Sequence, residues 1–482
     1  MIMNKLPTHL RTSYLLALSV LTLVLAAGSP DENSFRAGER RAGWENVPKI
    51  LSEIVPPIFP DREFVITDYG AVADGKTICT AAFKKAIEEC SRSGGGRVVV
   101  PAGTYLTGAI HLKSNVDLHL SKGAVIKFST NPSDYLPVVY TRWEGVELMN
   151  YSPLVYAYGQ KNVALTGEGV LDGQADVSHW WPWKGSEEFG WKPGMHSQLD
   201  DSCRPLLMKM GDENLPVSKR IFGEGHFLRP TFVEFYECQN VLIKDVSLEN
   251  APFWFVHPAL CKNVTIEGIT TNSNGPNTDG CDPESCTDVV IRNCVFNDGD
   301  DCIAIKSGRN NDGRRVNVPS TDIVVVGCRM KNGHGGVSIG SEISGGCWNV
   351  YVDSCMMDSP NLNQVLRVKS NSKRGGVVRN IFLRDINVGQ VSESIVRLDM
   401  QYDPEEAAGY DFLPVMKNIY IDRVESHKSK YALYFAGLAS SHIDSVFISN
   451  CNFDSVAGGN RLRYAEDVSY DKVYMNGKLI GN

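Results

Sequence analysis

From Asn162 onward one short phrase keeps returning: an Asn or Asp, then Val or Ile, then apolar residues alternating with polar ones. It stands at Asn162-Val163, Asn240-Val241, Asn263-Val264, Asp288-Val289, Asp322-Ile323, Asn349-Val350, Asn380-Ile381, Asn418-Ile419 and Asp467-Val468, with Ser445-Val446 as a degenerate copy. Between 240 and 467 the intervals run from 22 to 38 residues. Alternation with a period of two means strands, and repeats of this length with little room for helices mean a solenoid of β rungs. The expected fold is therefore all-β, a parallel β-helix. An antiparallel sandwich would not return an Asx-Val pair at the same phase of each segment.

The ends and one middle stretch depart from the repeat. Residues 63–69 (EFVITDY) read as a strand, and Thr80 to Cys90 has Ala82, Phe83, Ala86 and Ile87 at helical spacing, with Thr80 as N-cap. A short N-terminal helix here would cap the open end of the solenoid, whose terminal rung otherwise exposes its edge and core. Residues 129–230 interrupt the rungs with Trp143, Trp180, Trp181, Trp183 and Trp191 in a polar, Gly-rich setting. A long insertion of that kind either shapes a cleft or packs on the rungs as an Ω-like loop. Residues 1–29 have the make-up of an export signal: Lys5 and Arg11, an apolar run from Tyr14 to Leu25, then small residues. The chain is expected to be periplasmic or extracellular, with residues 30–61 as an extension, 62–482 as the β-helix and no membrane span.

The formal net charge of −8 argues against a nucleic-acid partner, which would call for a basic stripe. An acidic polysaccharide stays possible if a local basic patch exists. Thirteen Cys in an exported chain would ordinarily suggest disulfides, but many fall in strand-like segments where a small buried hydrophobe is the simpler reading. No Cys/His cluster has zinc-ligand spacing, so neither a metal nor another cofactor is expected.

Four successive rungs carry unusual polar sequences: NTDGCD (277–282), NDGDDCIAIKSGRN (297–310), NGHGGVSIGS (332–341) and VLRVKS (365–370). Counted from its own Asx residue, Asp300 lies twelve positions on and His334 also twelve; Asp279 lies sixteen on and Arg367 eighteen. Rungs stack about 4.8 Å apart, so these residues would share one face over about three steps. With Ile303, Ile305, Val337, Ile339, Leu366 and Val368 pointing inward, Asp300, Lys306, His334, Arg367 and Lys369 point outward. Asp301 falls on the wrong parity, and Gly299 suggests a bend that brings it round. A lone acidic pair is usually a solvated turn. Three Asp, a His, an Arg and a Lys on one face instead supply what glycosidic hydrolysis needs: a carboxylic acid for the leaving oxygen and a carboxylate for water. Arg367 and Lys369 form the local basic patch, suited to a uronate carboxylate. A calcium site is the chemical alternative for clustered Asp, but the neighbouring cations would repel the ion.

These segments resemble the polygalacturonases of glycoside hydrolase family 28, marked by NTD, DD, GHG and R-x-K segments in that order. Here they stand as Asn277-Thr278-Asp279, Asp300-Asp301, Gly333-His334-Gly335 and Arg367-Val368-Lys369, within a likeness covering about residues 62–480. The resemblance implies a single-stranded right-handed parallel β-helix, a pectin-lyase-like solenoid, acting on a galacturonic-acid polysaccharide; a monomer is expected. It implies Asp300 as general acid, Asp279 and Asp301 as activators of water with inversion, and His334 as the group that tunes the acid. Arg367 and Lys369 would hold a galacturonate carboxylate, with Asn277, Tyr402 and Gln401 as further sugar contacts. NTDGCDPES and KSGRNNDGRR resemble the bacterial exo-acting branch. The alternatives are a rhamnogalacturonan or decorated-pectin hydrolase on the same fold and a non-catalytic carbohydrate-binding solenoid.

Overall fold

In a computed structural model, which describes residues 43–481, the rungs are short strands that pair almost entirely in parallel with the next turn of the chain. Val163, Val241, Val264, Val289, Ile323, Val350, Ile381, Ile419 and Val446 follow one another across one sheet in strict register. The residue two places on in each strand also points inward, so the core is a file of Val, Ile and Leu with no exposure. The chain is an all-β, right-handed parallel β-helix. Antiparallel pairing occurs at the hairpin Val139–Trp143/Val146–Asn150 and at the terminal pair Val473–Met475/Lys478–Ile480.

The Asx position has a backbone reason. From Asn162 to Asp467 all ten residues of the repeat, Ser445 included, have φ between 49° and 59°. Among residues with a side chain, Asn and Asp tolerate that left-handed conformation best. Their amides also stack: Asn240 Nδ2 donates to Asn162 Oδ1 at 2.8 Å, Asn263 to Asn240 at 2.9 Å, Asn349 to Asp322 at 2.9 Å and Asn380 to Asn349 at 3.1 Å. A side-chain ladder thus runs beside the backbone ladder and pins the register.

The helix Thr80–Arg92 lies over the first rungs and buries Ala82, Phe83, Ala86, Ile87 and Cys90. Thr80 is not its N-cap. The helix starts there, and the Thr80 hydroxyl instead accepts from Gly108 N at 2.7 Å, tying the helix to the adjacent rung. All thirteen cysteines are buried free thiols. Several stack on successive rungs, with Cys238 N donating to Cys261 Sγ and Cys261 N to Cys286 Sγ at 3.4 Å.

Residues 129–230 do not leave the solenoid in one piece. Val155–Asp172 returns to supply a rung, so two excursions flank it. They form a second core of Trp143, Val146, Leu148, Cys203, Leu207 and Phe222 with Phe253 and Trp254 of the solenoid. The residues expected to form an export signal lie outside the described residues, and no described helix is long and apolar enough to cross a membrane.

Candidate active site

The polar segments meet on one sheet of the solenoid. Ile303↔Val337↔Leu366 and Ile305↔Ile339↔Val368 pair inward, so Ala304↔Ser338↔Arg367 form the outward file between them. Cys281 bridges Val256 to Ile303, placing Asp279 one rung before Asp300. The regular strand begins only at Ile303, and the irregular backbone before it lets Asp301 face the same side as Asp300. Gly299 is required there by closeness: a Cβ would sit 2.2 Å from the carbonyl oxygen of Gly275. Its N–H donates to the Thr278 hydroxyl at 3.1 Å, locking the two aspartate-bearing turns together. His334 N donates to Asp300 O at 3.0 Å, which fixes the third rung against the second.

One oxygen from each of Asp279, Asp300 and Asp301 lies within 4.8 Å of the others, at the floor of a polar cleft of about 380 Å³. His334 Nδ1 is 2.9 Å from Asp300 Oδ1. Lys369 Nζ is 2.7 Å from Asp301 Oδ2, and Arg367 Nη1 is 3.5 Å from Asp301 Oδ1. Asp279 Oδ2 is 3.6 Å from Lys306 Nζ, and its Oδ1 has no hydrogen-bond partner among the described residues. Tyr402 lies over the two cations, its ring centre 5.7 Å from the Arg367 guanidinium and 5.6 Å from Lys369 Nζ.

The three carboxyls are driven apart in proton affinity. Burial, then the neighbouring Asp282 and Asp300, push Asp279 well above the usual carboxylate range. Burial also acts on Asp300, but the hydrogen bond and charge of His334 outweigh it and hold the group low. Burial of Asp301 is likewise outweighed, by Lys369 and Arg367. His334 is raised by its bond to Asp300. The Asp279 end is therefore biased toward the protonated form, and the Asp300–His334 contact toward an ion pair. Three oxygens this close could in principle hold a divalent cation, but Lys306, Arg367 and Lys369 already counter their charge.

All eight expected site residues line the cleft. Gln401 does not; its amide donates to Gly437 O instead. Arg367 and Lys369, expected to hold a substrate carboxylate, both pair with Asp301. Sequence spacing missed the ring of charge around the trio. Lys306, whose outward direction the parity does give, is buried against Asp279, Asp282 at 3.1 Å and Glu342 at 3.7 Å, with its ammonium 4.5 Å from the Trp254 ring centre. Glu144, Lys184 and Arg204 reach the cleft from the two excursions, where no repeat phase announces them.

A parallel β-helix with paired acidic and basic carboxyl groups in a polar cleft defines a polysaccharide-cleaving glycoside hydrolase. The sequence profile described as Glycosyl hydrolases family 28 matches residues 222–469, and one described as Rhamnogalacturonase A/epimerase, pectate lyase-like matches residues 64–131. The chain belongs to glycosyl hydrolases family 28. It is 29% identical over 417 residues to a probable polygalacturonase of Vitis vinifera, covering 82% of this chain and 75% of that one. It is 27% identical over 431 residues to an exo-poly-alpha-D-galacturonosidase of Dickeya chrysanthemi, covering 81% and 67%. The structure of a hyperthermoactive exopolygalacturonase from Thermotoga maritima is similar with a TM-score of 0.87 and 45% identity, over 90% of this chain and 96% of that one.

Proposed function

We propose that the protein hydrolyses α-1,4-galacturonosidic bonds of polygalacturonate by acid/base catalysis, acting from chain ends outside the cytoplasm. The carrying observation is the contact of Asp300 with His334 in a cleft whose other carboxylate, Asp301, is held ionised by Lys369. Asp300 and His334 hold one proton between them. As the glycosidic oxygen accumulates charge, the imidazolium passes that proton to Asp300, which delivers it to the leaving oxygen and leaves His334 neutral; the proton that Asp301 takes from water restores it. Asp301 accepts the proton of the attacking water, and the unpartnered Asp279 Oδ1 orients that water. Arg367, whose Nε is buried without a partner, and Lys369 keep donors for a uronate carboxylate.

Exo action rests on likeness to the Thermotoga and Dickeya enzymes, and the excursion residues Glu144, Lys184 and Arg204 line the same cleft. Inversion rests on the family resemblance. Digestion of defined oligogalacturonides followed by proton NMR tests both points. Release of single or paired sugars with the β anomer appearing first is expected. Early random-length products would overturn the exo reading, and an initial α anomer the inverting one. Asp300→Asn should lower kcat by about 10²–10⁴-fold while ligand binding persists. An unsaturated product absorbing in the ultraviolet would mean elimination and overturn hydrolysis.

A further inference from the structure

Arg204, Lys306, Arg309, Arg367, Lys369 and Arg374 line the cleft, and each lies 2.7 to 3.5 Å from a protein carboxylate. Lys184 also lines it, and among the described residues it has no carboxylate partner. Its ammonium donates to Asn277 Oδ1 at 3.0 Å. Behind it stands Arg229, fully buried and likewise without a carboxylate. Arg229 donates to Asn277 Oδ1 at 2.8 Å, to Gln198 Oε1 at 3.2 Å and to the carbonyls of Pro252 and Pro276. Two cations thus converge on one neutral amide oxygen with no countercharge in contact.

Such an arrangement is costly unless something negative completes it. Burial, then Arg229, depress the lysine below its ordinary proton affinity, and burial brings Arg229 down to about 9. The position is also built rigidly. Trp181 Nε1 donates to Ala251 O at 3.0 Å, and Trp183 packs edge-on against Trp180 and Phe227 at 5.1 and 5.3 Å between ring centres. Trp180, Trp181 and Trp183 therefore serve as a post for the Trp181–Lys184 turn.

Lys184 is anchored at the rung of Asp279, whereas Arg367 and Lys369 lie three rungs on, through Ile303, Val337 and Leu366. The heads of Arg367 and Lys369 reach back to Asp301, whereas the Lys184 ammonium stands at the Asp279 end of the trio, so the two basic sites flank the aspartates. We propose that Lys184 holds the carboxylate of a second galacturonate, on the opposite side of the cleaved bond from Arg367 and Lys369, with Arg229 as the charge behind it. Asn277, its oxygen already committed to both cations, has its Nδ2 to offer a sugar hydroxyl. This rests on the galacturonan reading above.

The test compares wild type, Lys184→Met and Lys184→Arg on the shortest oligogalacturonide the wild type cuts, and on each of its singly methyl-esterified forms. Lys184→Met should raise KM about 10- to 100-fold on the free acid, with kcat little changed, and Lys184→Arg should restore most of it. On one esterified form, and only one, wild type and Lys184→Met should have equal KM. An equal loss on every form would mean that Lys184 acts through packing, and no loss would mean that it binds nothing; either overturns the inference alone. A wild type that releases no galacturonate from any of them would instead overturn the galacturonan reading.

Discussion

Lys369 Nζ and Asp301 Oδ2 are 2.7 Å apart, and both side chains are buried. The ammonium holds the Asp301 carboxyl below its usual proton affinity, the state it needs to accept a proton from water in the proposed reaction. In Lys369→Met the carboxylate loses its main countercharge and its proton affinity rises. The acidic limb of the kcat/KM profile should therefore move to higher pH, with a loss of about 3–5 kcal/mol where a buried pair is broken. An unmoved acidic limb would separate Asp301 from the chemistry.

His334 is raised by Asp300, so its imidazolium is present below that raised value and is lost as pH rises through it. The shared proton disappears with it, giving wild type an alkaline limb. His334→Asn should lower kcat about 10- to 100-fold and shift or abolish that limb. A variant with the wild-type limb would assign the titration elsewhere.

His257 is completely buried between Glu234, at 3.3 Å, and Glu284, at 2.9 Å, and is pushed up to about 9. Burial opposes this, but the two carboxylates outweigh it. The folded value exceeds the unfolded ~6.5, so its stabilisation is full below pH ~6.5 and fades as pH rises through about 9. His257→Leu leaves two buried carboxylates and should cost about 3–5 kcal/mol near neutral pH. Denaturant titrations of both proteins at pH 6 and pH 9.5 should show the gap narrowing at the higher pH; a constant gap would rule out the ion pair as its source.

Asn349 combines φ of 59° with amide bonds to Asp322 and Asn380. Asn349→Ala should cost about 3–4 kcal/mol, from left-handed strain of ~1–2 kcal/mol plus two lost ladder bonds of ~1 kcal/mol each. Asn349→Gly removes the strain and should recover about 1–2 kcal/mol of that loss. Equal denaturation midpoints for the two variants would show that conformation is not what selects Asn here.

The rungs were legible because a repeat repeats its error-proofing: a wrong phase would put Val350 or Ile381 in water, so the alternation cannot drift. Even the Asx marker has a local cause, since left-handed φ is a property of one residue and its neighbours. The outward facing of Asp300, His334, Arg367 and Lys369 followed from the same parity. Asp301 was legible only as an exception, and the close passage of Gly299 past Gly275 that resolves it joins turns 24 residues apart. Thr80 was misread as a cap because its hydroxyl is claimed by Gly108, in the bend after a strand that no helical rule includes.

The chain's own order therefore determined the solenoid, the inward and outward faces and the identity of the carboxylates. Tertiary structure alone decided which cation neutralises which carboxylate. It also brought Lys184, in one of the excursions, to the amide of Asn277, 93 residues away. Periodicity carries information along the chain only where successive turns are equivalent. Charge pairing in the cleft depends instead on distances between segments that share no repeat, and those are set when the excursions pack back onto the rungs.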